Sequence, residues 1–116
     1  MDKLTYAGEH LLTGSAIAHA LLEYAQALAG TGEAATIRIP TVDPAGDAGW
    51  AEVLVGPASQ LVTVRIETDL PEPVDPELVE ELASRTAGLR RRAAPTGVIL
   101  PNESSPERGY STEYDL

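Results

Sequence analysis

The side chains in this chain that could do chemistry are mostly carboxylates. The densest group runs Glu67, Asp69, Glu72, Asp75, Glu77, Glu80 and Glu81. Acids gathered this way form either a solvated face around a helix start or a docking surface for a basic partner. The one basic cluster, Arg90-Arg-Arg92, falls at the end of a helical pattern. There it complements the helix dipole, and on its own it could hold a phosphate or a carboxylate. His10 and His19 are the only histidines, and Glu9 and Glu23 near them suggest a metal or an acid–base pair. No third ligand stands at a defined spacing, and His19 with Glu23 reads as an i,i+4 pair on one helix face.

Weaker motifs fail on their chemistry. Asp43 and Asp47 flank Gly46, but Pro44 and Ala45 break the alternation of ligands that a calcium loop requires. Ser59 sits in Gly-Pro-Ala-Ser-Gln rather than Gly-x-Ser-x-Gly, with no His–acid pair placed to activate it, so it reads as a turn residue. Gly30-Thr-Gly-Glu33 lacks the lysine of a phosphate-binding loop and the strand-to-helix order of a dinucleotide site. No residue set specifies a reaction. Neither a catalytic residue nor a metal nor a cofactor is expected.

The elements that position these residues are easier to read. Ser15–Ala29 is apolar around most of a helical wheel, with Ile17, Leu21, Tyr24, Ala25 and Leu28 on one face and only His19, Glu23 and Gln26 polar. Such a helix is buried on most sides and forms the centre of the fold. Thr13 or Ser15 is its expected N-cap, and Gly30 its left-handed C-terminal glycine. Before it, Lys3–Tyr6 is a short strand, and His10–Leu12 either returns as a second one or leads straight into the helix.

After it the period changes to two. Ile37 and Ile39 alternate with Arg38 in a strand over Ala35–Val42, where Pro40 ends the pairing or marks an edge. Asp43–Gly49 is a long loop and Trp50–Val55 a strand, with Ala51, Val53 and Val55 on one face. Gly56-Pro-Ala-Ser59 is a tight turn. Over Gln60–Glu67, Val62, Val64 and Ile66 share one face, and Leu61, Thr63, Arg65 and Glu67 the other. That polar alternate face marks an antiparallel sheet with one side in water.

A proline-punctuated linker leads to a second, amphipathic helix. Asp75 is its expected N-cap, Pro76 its first residue, and Val74 with Val79 has the spacing of a hydrophobic staple. Leu78, Val79, Leu82, Thr86 and Leu89 form its apolar stripe, Glu81 and Arg85 can pair, and Gly88 offers an early stop. Thr96–Leu100 reads as one more edge strand, and 101–116 as a disordered tail.

Composition sets the outer bounds. The chain has 116 residues, enough for one core, with 43% hydrophobic residues and no phenylalanine, so that core is built from Ala, Val, Leu and Ile. It has no cysteine, which excludes disulfides and thiolate chemistry. Net charge is −10, from 18 acids against 8 bases, which argues against direct binding of nucleic acid. No basic region followed by an apolar stretch opens the chain, and the first helix is too short to span a bilayer. A cytoplasmic location without membrane contact is the default expectation.

Lys3-Leu-Thr-Tyr-Ala-Gly8, Ala16-Ile-Ala-His-Ala-Leu21, the Trp50–Glu67 hairpin and Pro95-Thr-Gly-Val-Ile-Leu-Pro101 occur in an order that resembles a family of small actinobacterial proteins. Members of that family often carry the label "ATP-dependent DNA ligase". The label implies a lysyl-adenylate on the lysine of a Lys-x-Asp-Gly motif. The one lysine here, Lys3, is followed by Leu-Thr-Tyr.

The expectation is a two-layer α+β domain over residues 1–100, of order β(β)αβββαβ, with both helices on one face of a mainly antiparallel sheet. Its expected role is that of a non-catalytic interaction module. It would meet a protein partner, or a second copy, through Glu67, Asp69, Glu72, Glu77, Glu80 and Glu81 or through the open sheet face. A nucleotide-handling or ligase-related enzyme and an acidic mimic of nucleic acid are the alternatives.

Overall fold

A computed structural model describes residues 1–93. They form β1 (Asp2–Tyr6), β2 (Glu9–Thr13), α1 (Ser15–Ala29), β3 (Ala35–Val42), β4 (Ala48–Val55), β5 (Leu61–Arg65) and α2 (Pro76–Ala93). The fold is α+β, a five-stranded antiparallel sheet of order β4-β3-β2-β1-β5 with two helices. The expected strand at Thr96–Leu100 and the tail 101–116 lie outside the described residues.

The sheet is made of two tight units with a thin join. β3 and β4 pair over their full length, and β1 pairs along its length with both β2 and β5. Between β2 and β3 the only paired residues are Leu12 and Val42. Pro40 is the physical reason. Its carbonyl accepts the Thr13 hydroxyl at 2.8 Å, so its backbone polar groups point at β2, on the side where it has no N–H to give. Pro40 therefore leaves the β3–β4 ladder intact and interrupts only the other side.

That thin join lets the sheet curl. β4 and β5 are consecutive in sequence but stand at opposite edges. A flat sheet would hold those edges roughly 19 Å apart, four strand spacings. The link Gly56–Gln60 is instead a turn, closed by the Ser59 N–H to the Gly56 carbonyl at 3.1 Å. The Ser59 hydroxyl accepts from the Gly56 N–H and donates to the Leu54 carbonyl, so the turn uses the serine completely. The two edges thus approach each other at the end of the sheet that carries this turn, called the upper end below.

The helices run parallel on one face. Pro73, entering α2, lies against Gly14 at the start of α1, and Arg92 near the end of α2 is 4.0 Å from Glu33, beyond the end of α1. Ile17, Leu21, Tyr24 and Leu28 of α1 and Leu82 and Leu89 of α2 share one core with Leu4, Ile37, Ile39, Val53 and Val55 of the sheet. Ala18 is also fully buried, whereas Ala25 is only partly so.

Several local expectations are corrected. The N-cap of α1 is Gly14, with no side-chain cap bond, because Thr13 turns to Pro40 and Ser15 to Asp2. Gly30 stays right-handed, and the left-handed glycine of that exit is Gly32. His10–Leu12 belongs to a true strand, closed by a two-residue turn in which Ala7 and Gly8 both have positive φ, as a right-twisting hairpin demands. α2 continues past Gly88 to Ala93. β4 begins at Ala48, two residues before Trp50.

Candidate functional site

The acidic stretch divides once its residues are placed. Because α1 and α2 are parallel, their positive N-terminal ends lie together, and carboxylates are stabilised there. Glu72 sits between them: one oxygen accepts the Met1 amino group at 2.8 Å, the other the Ser15 N–H at 2.9 Å. The amino group first, and the Ser15 N–H second, hold the Glu72 carboxyl below the usual range. The amino group also donates to the Ser15 hydroxyl at 3.1 Å, and that hydroxyl donates to the buried Asp2 at 2.6 Å. Gly14 is required here by close approach. A Cβ on it would stand 2.1 Å from the Pro73 carbonyl oxygen.

Asp75 caps α2 by accepting the Leu78 N–H at 3.1 Å, as expected, and Glu81 pairs with Arg85. The Arg85 guanidinium stands beside the Tyr24 hydroxyl first and Glu81 second, which raises its pKa further. Glu72, Asp75 and Glu81 are therefore engaged in holding the helices. Glu67, Asp69, Glu77 and Glu80 are exposed and make no ion pair among the described residues. They do not converge: Glu67 and Asp69 border a polar hollow beside Arg65, while Glu80 borders an apolar groove between the two helix starts. Val74 lines that groove and is largely exposed, so it does little as a staple.

The histidines also separate. His10 shares a hydrogen bond with the Thr5 hydroxyl at 2.9 Å, across the β1–β2 hairpin. His19 is 3.7 Å from Asp2 rather than paired with Glu23, and is mostly exposed. Among the described residues no group of three or more His, Asp or Glu could hold a metal. Asp43 is a turn builder, its carboxylate accepting the N–H groups of Ala45 and Asp47 at 2.9 Å each. Lys3 stands in the sheet between Leu12 and Val64.

The feature that sequence reasoning missed is the face of β5. Register pairs Leu4 with Thr63 and Tyr6 with Leu61, so Leu61 and Thr63 look toward the helices with the buried Leu4. Val62 and Val64 look the other way, opposite Thr5 and Lys3, and are 55% and 48% exposed. The face expected to lie in water is the half-covered one, and the valine face is open. A strand's own alternation says that it has two faces. Which one is covered depends on the register with β1, which no local signal in β5 encodes.

Val62 and Val64 are joined on the open side by Trp50 and Leu54 of β4, 58% and 53% exposed. The Arg38 guanidinium lies 5.0 Å from the centre of the Trp50 ring, holding the indole against the sheet. At the upper end, Leu54 and Val62 line a groove of about 520 Å³ together with Thr5, Tyr6, Ala34 and the 56–60 turn. Among the described residues, no helix is long and apolar enough to cross a membrane. No family model matches the chain, and no curated protein and no solved structure matches it.

Proposed function

We propose that this chain is a non-catalytic interaction module whose protein partner docks on the open face of the sheet. The observation that carries this reading is the half-exposed set Trp50, Leu54, Val62 and Val64, all on the face opposite the helices. Large apolar residues exposed on a sheet face are candidates for a binding surface, and tryptophan and arginine are among the residue types enriched at binding hot spots. With a net charge of −10, the partner that fits is apolar at the centre of its surface and basic around the rim.

The acidic stretch is the weaker candidate. Parallel helix starts account for Glu72 and Asp75 there, and Arg85 accounts for Glu81. Affinity capture from host lysate separates the two surfaces. Trp50→Ala with Val62→Ser should abolish a specific partner's retention, while Glu77→Gln with Glu80→Gln should leave it intact at high salt. The reverse pattern would discard the open-face reading. Light scattering over a range of concentrations identifies the case in which the partner is a second copy.

A further inference from the structure

We propose that two copies of this chain pair edge to edge, β4 against β4, antiparallel about a two-fold axis through Ala51. β4 is the longer of the two edge strands, eight residues against five in β5. It contains no proline and carries one charged side chain, Glu52. Its outer side has no strand partner among the described residues. A long edge with so little to blunt it is a template for an added strand. Pairing β4 with β4 uses the same edge twice and closes as a dimer, whereas β4 against β5 would add copy after copy.

Register decides which side chains meet. In such a pair the axis passes through a residue, and residues opposite each other lie on the same face of the joined sheet. Two registers leave only one residue of β4 unpaired: an axis at Ala51 pairs Ala48 to Leu54, and an axis at Glu52 pairs Gly49 to Val55. The axis at Glu52 sets the two glutamates directly opposite, where like charges repel. The axis at Ala51 sets Gly49 against Val53 and Ala51 against itself on the helix side, where small side chains leave room. On the open side it sets Trp50 against Glu52. It also stops at Leu54, short of the upper end where the β5 edge draws close.

Charge complementarity supports the same register. Within one chain Arg38 stands opposite Glu52 across the β3–β4 ladder, yet the two form no ion pair. The guanidinium lies 5.0 Å from the centre of the Trp50 ring instead. Opposed Cβ atoms in an antiparallel pair are about 4.5–5.5 Å apart, so Glu52 of the second copy, facing Trp50, comes within reach of that guanidinium. The contact forms twice, once on each side of the axis. The two open faces then make one continuous surface, with Trp50 and Leu54 of both copies near its middle. This pairing uses the edge of β4 and does not depend on the open-face reading above.

Glu52→Arg and Arg38→Glu in the full chain test it, at physiological salt so that the net charge of −10 on each copy is screened. Both side chains are exposed, so both variants should fold with unchanged circular dichroism. Sedimentation equilibrium should show a dimer of the unsubstituted chain, and either variant should raise its dissociation constant by about tenfold or more. An equimolar mixture of the two variants restores both Arg–Glu contacts, and native mass spectrometry should find the mixed dimer in excess of either like pair. A monomer at every concentration, a dimer that neither variant weakens, or a mixture without excess mixed dimer would overturn the proposal. Exchange of the β4 amides that face away from β3 should slow as protein concentration rises. Protection independent of concentration would mean that the chain's own residues hold the edge, and would also overturn it. The open-face reading is tested separately, by partner capture with Trp50→Ala and Val62→Ser.

Discussion

Val53 and Leu54 are neighbours in β4 and both aliphatic, yet Val53 is fully buried while Leu54 is half exposed. The same division runs across the whole sheet. On one face Leu4, Ile37, Ile39, Val53 and Val55 pack under two helices. On the other, Trp50, Leu54, Val62 and Val64 have no helix over them among the described residues. Individual apolar residues of the two faces are alike in kind, although the open face also carries Lys3, Thr5, Arg38 and Glu52. They differ in what the chain places over them, and that is decided by where α1 and α2 are fastened.

The fastening is polar and local. Glu72, Gly14 and Pro73 clamp the two helix starts together, and Arg92 with Glu33 marks the other end. Parallel helices rather than an antiparallel pair follow from the strand directions, since β2 and β5 both end at the lower end and α1 and α2 therefore both start there.

The sharpest break of the comparison is a pair of substitutions on its two sides. Ile39→Ala, on the covered face, should cost about 2–5 kcal/mol of unfolding free energy. Leu54→Ala, on the open face, should change it by about 0.5 kcal/mol or less. Chemical denaturation of the two variants is the measurement. Similar losses would mean that the open face is covered by something in the isolated chain. Leu21→Asp should be more severe than either, because a charge among aliphatic side chains finds no partner and the chain unfolds.

The clamp comes next. Gly14→Ala puts a methyl group where the Pro73 carbonyl stands, so the linker or the start of α1 must move. Displacements of this sort cost about 1–3 kcal/mol. At Gly30 the added methyl would meet only the Ala27 carbonyl at 3.5 Å, an ordinary contact, so Gly30→Ala is the matched control. Equal melting temperatures for the two variants would show that the clamp does not fasten the helices.

Much of the covered face was legible from the sequence. The 3.6-residue stripe of α1, the alternation of Ile37 and Ile39, and Val53 with Val55 identify the core residue by residue. Asp75 before Pro76 announces the start of α2. What was not legible depends on register and on distant contacts. β5 alternates cleanly but does not say which face is inward. Glu72 reads as one acid among many until Ser15, 57 residues earlier, is brought to it. Sequence spacing likewise cannot reveal that Glu72, Asp75 and Glu81 already have partners.

A pH titration sharpens the role of the clamp further. Glu72 titrates below its ordinary value of 4.5 in the folded chain, because the Met1 amino group and the Ser15 N–H stabilise the charged form. A carboxyl with a depressed folded pKa contributes its stability above the unfolded value and loses it as pH falls through the folded one. Glu72 is 43% exposed at its side chain, so solvent screens the effect and a small change is expected. Glu72→Gln should melt slightly below the unsubstituted chain at pH 7. The two curves should converge below pH 4.5, and a gap that persists or widens there would rule out the ion pair as its source.

A last small effect, of opposite sign, is expected within the covered face itself. Thr86 is 3% exposed in the stripe of α2, and its hydroxyl has no hydrogen-bond partner among the described residues. Its oxygen has lost water without gaining a donor or an acceptor, a state that costs free energy which a methyl group would not. Valine has nearly the same shape, and its β-branch costs the helix about as much as that of threonine. Thr86→Val should therefore be neutral or stabilising, by up to about 1 kcal/mol. Val79→Thr, the reverse exchange one face over on the half-buried side of α2, should be destabilising. If Thr86→Val instead lowers the denaturation midpoint, the hydroxyl is hydrogen-bonded in the folded chain and its burial carries no such cost.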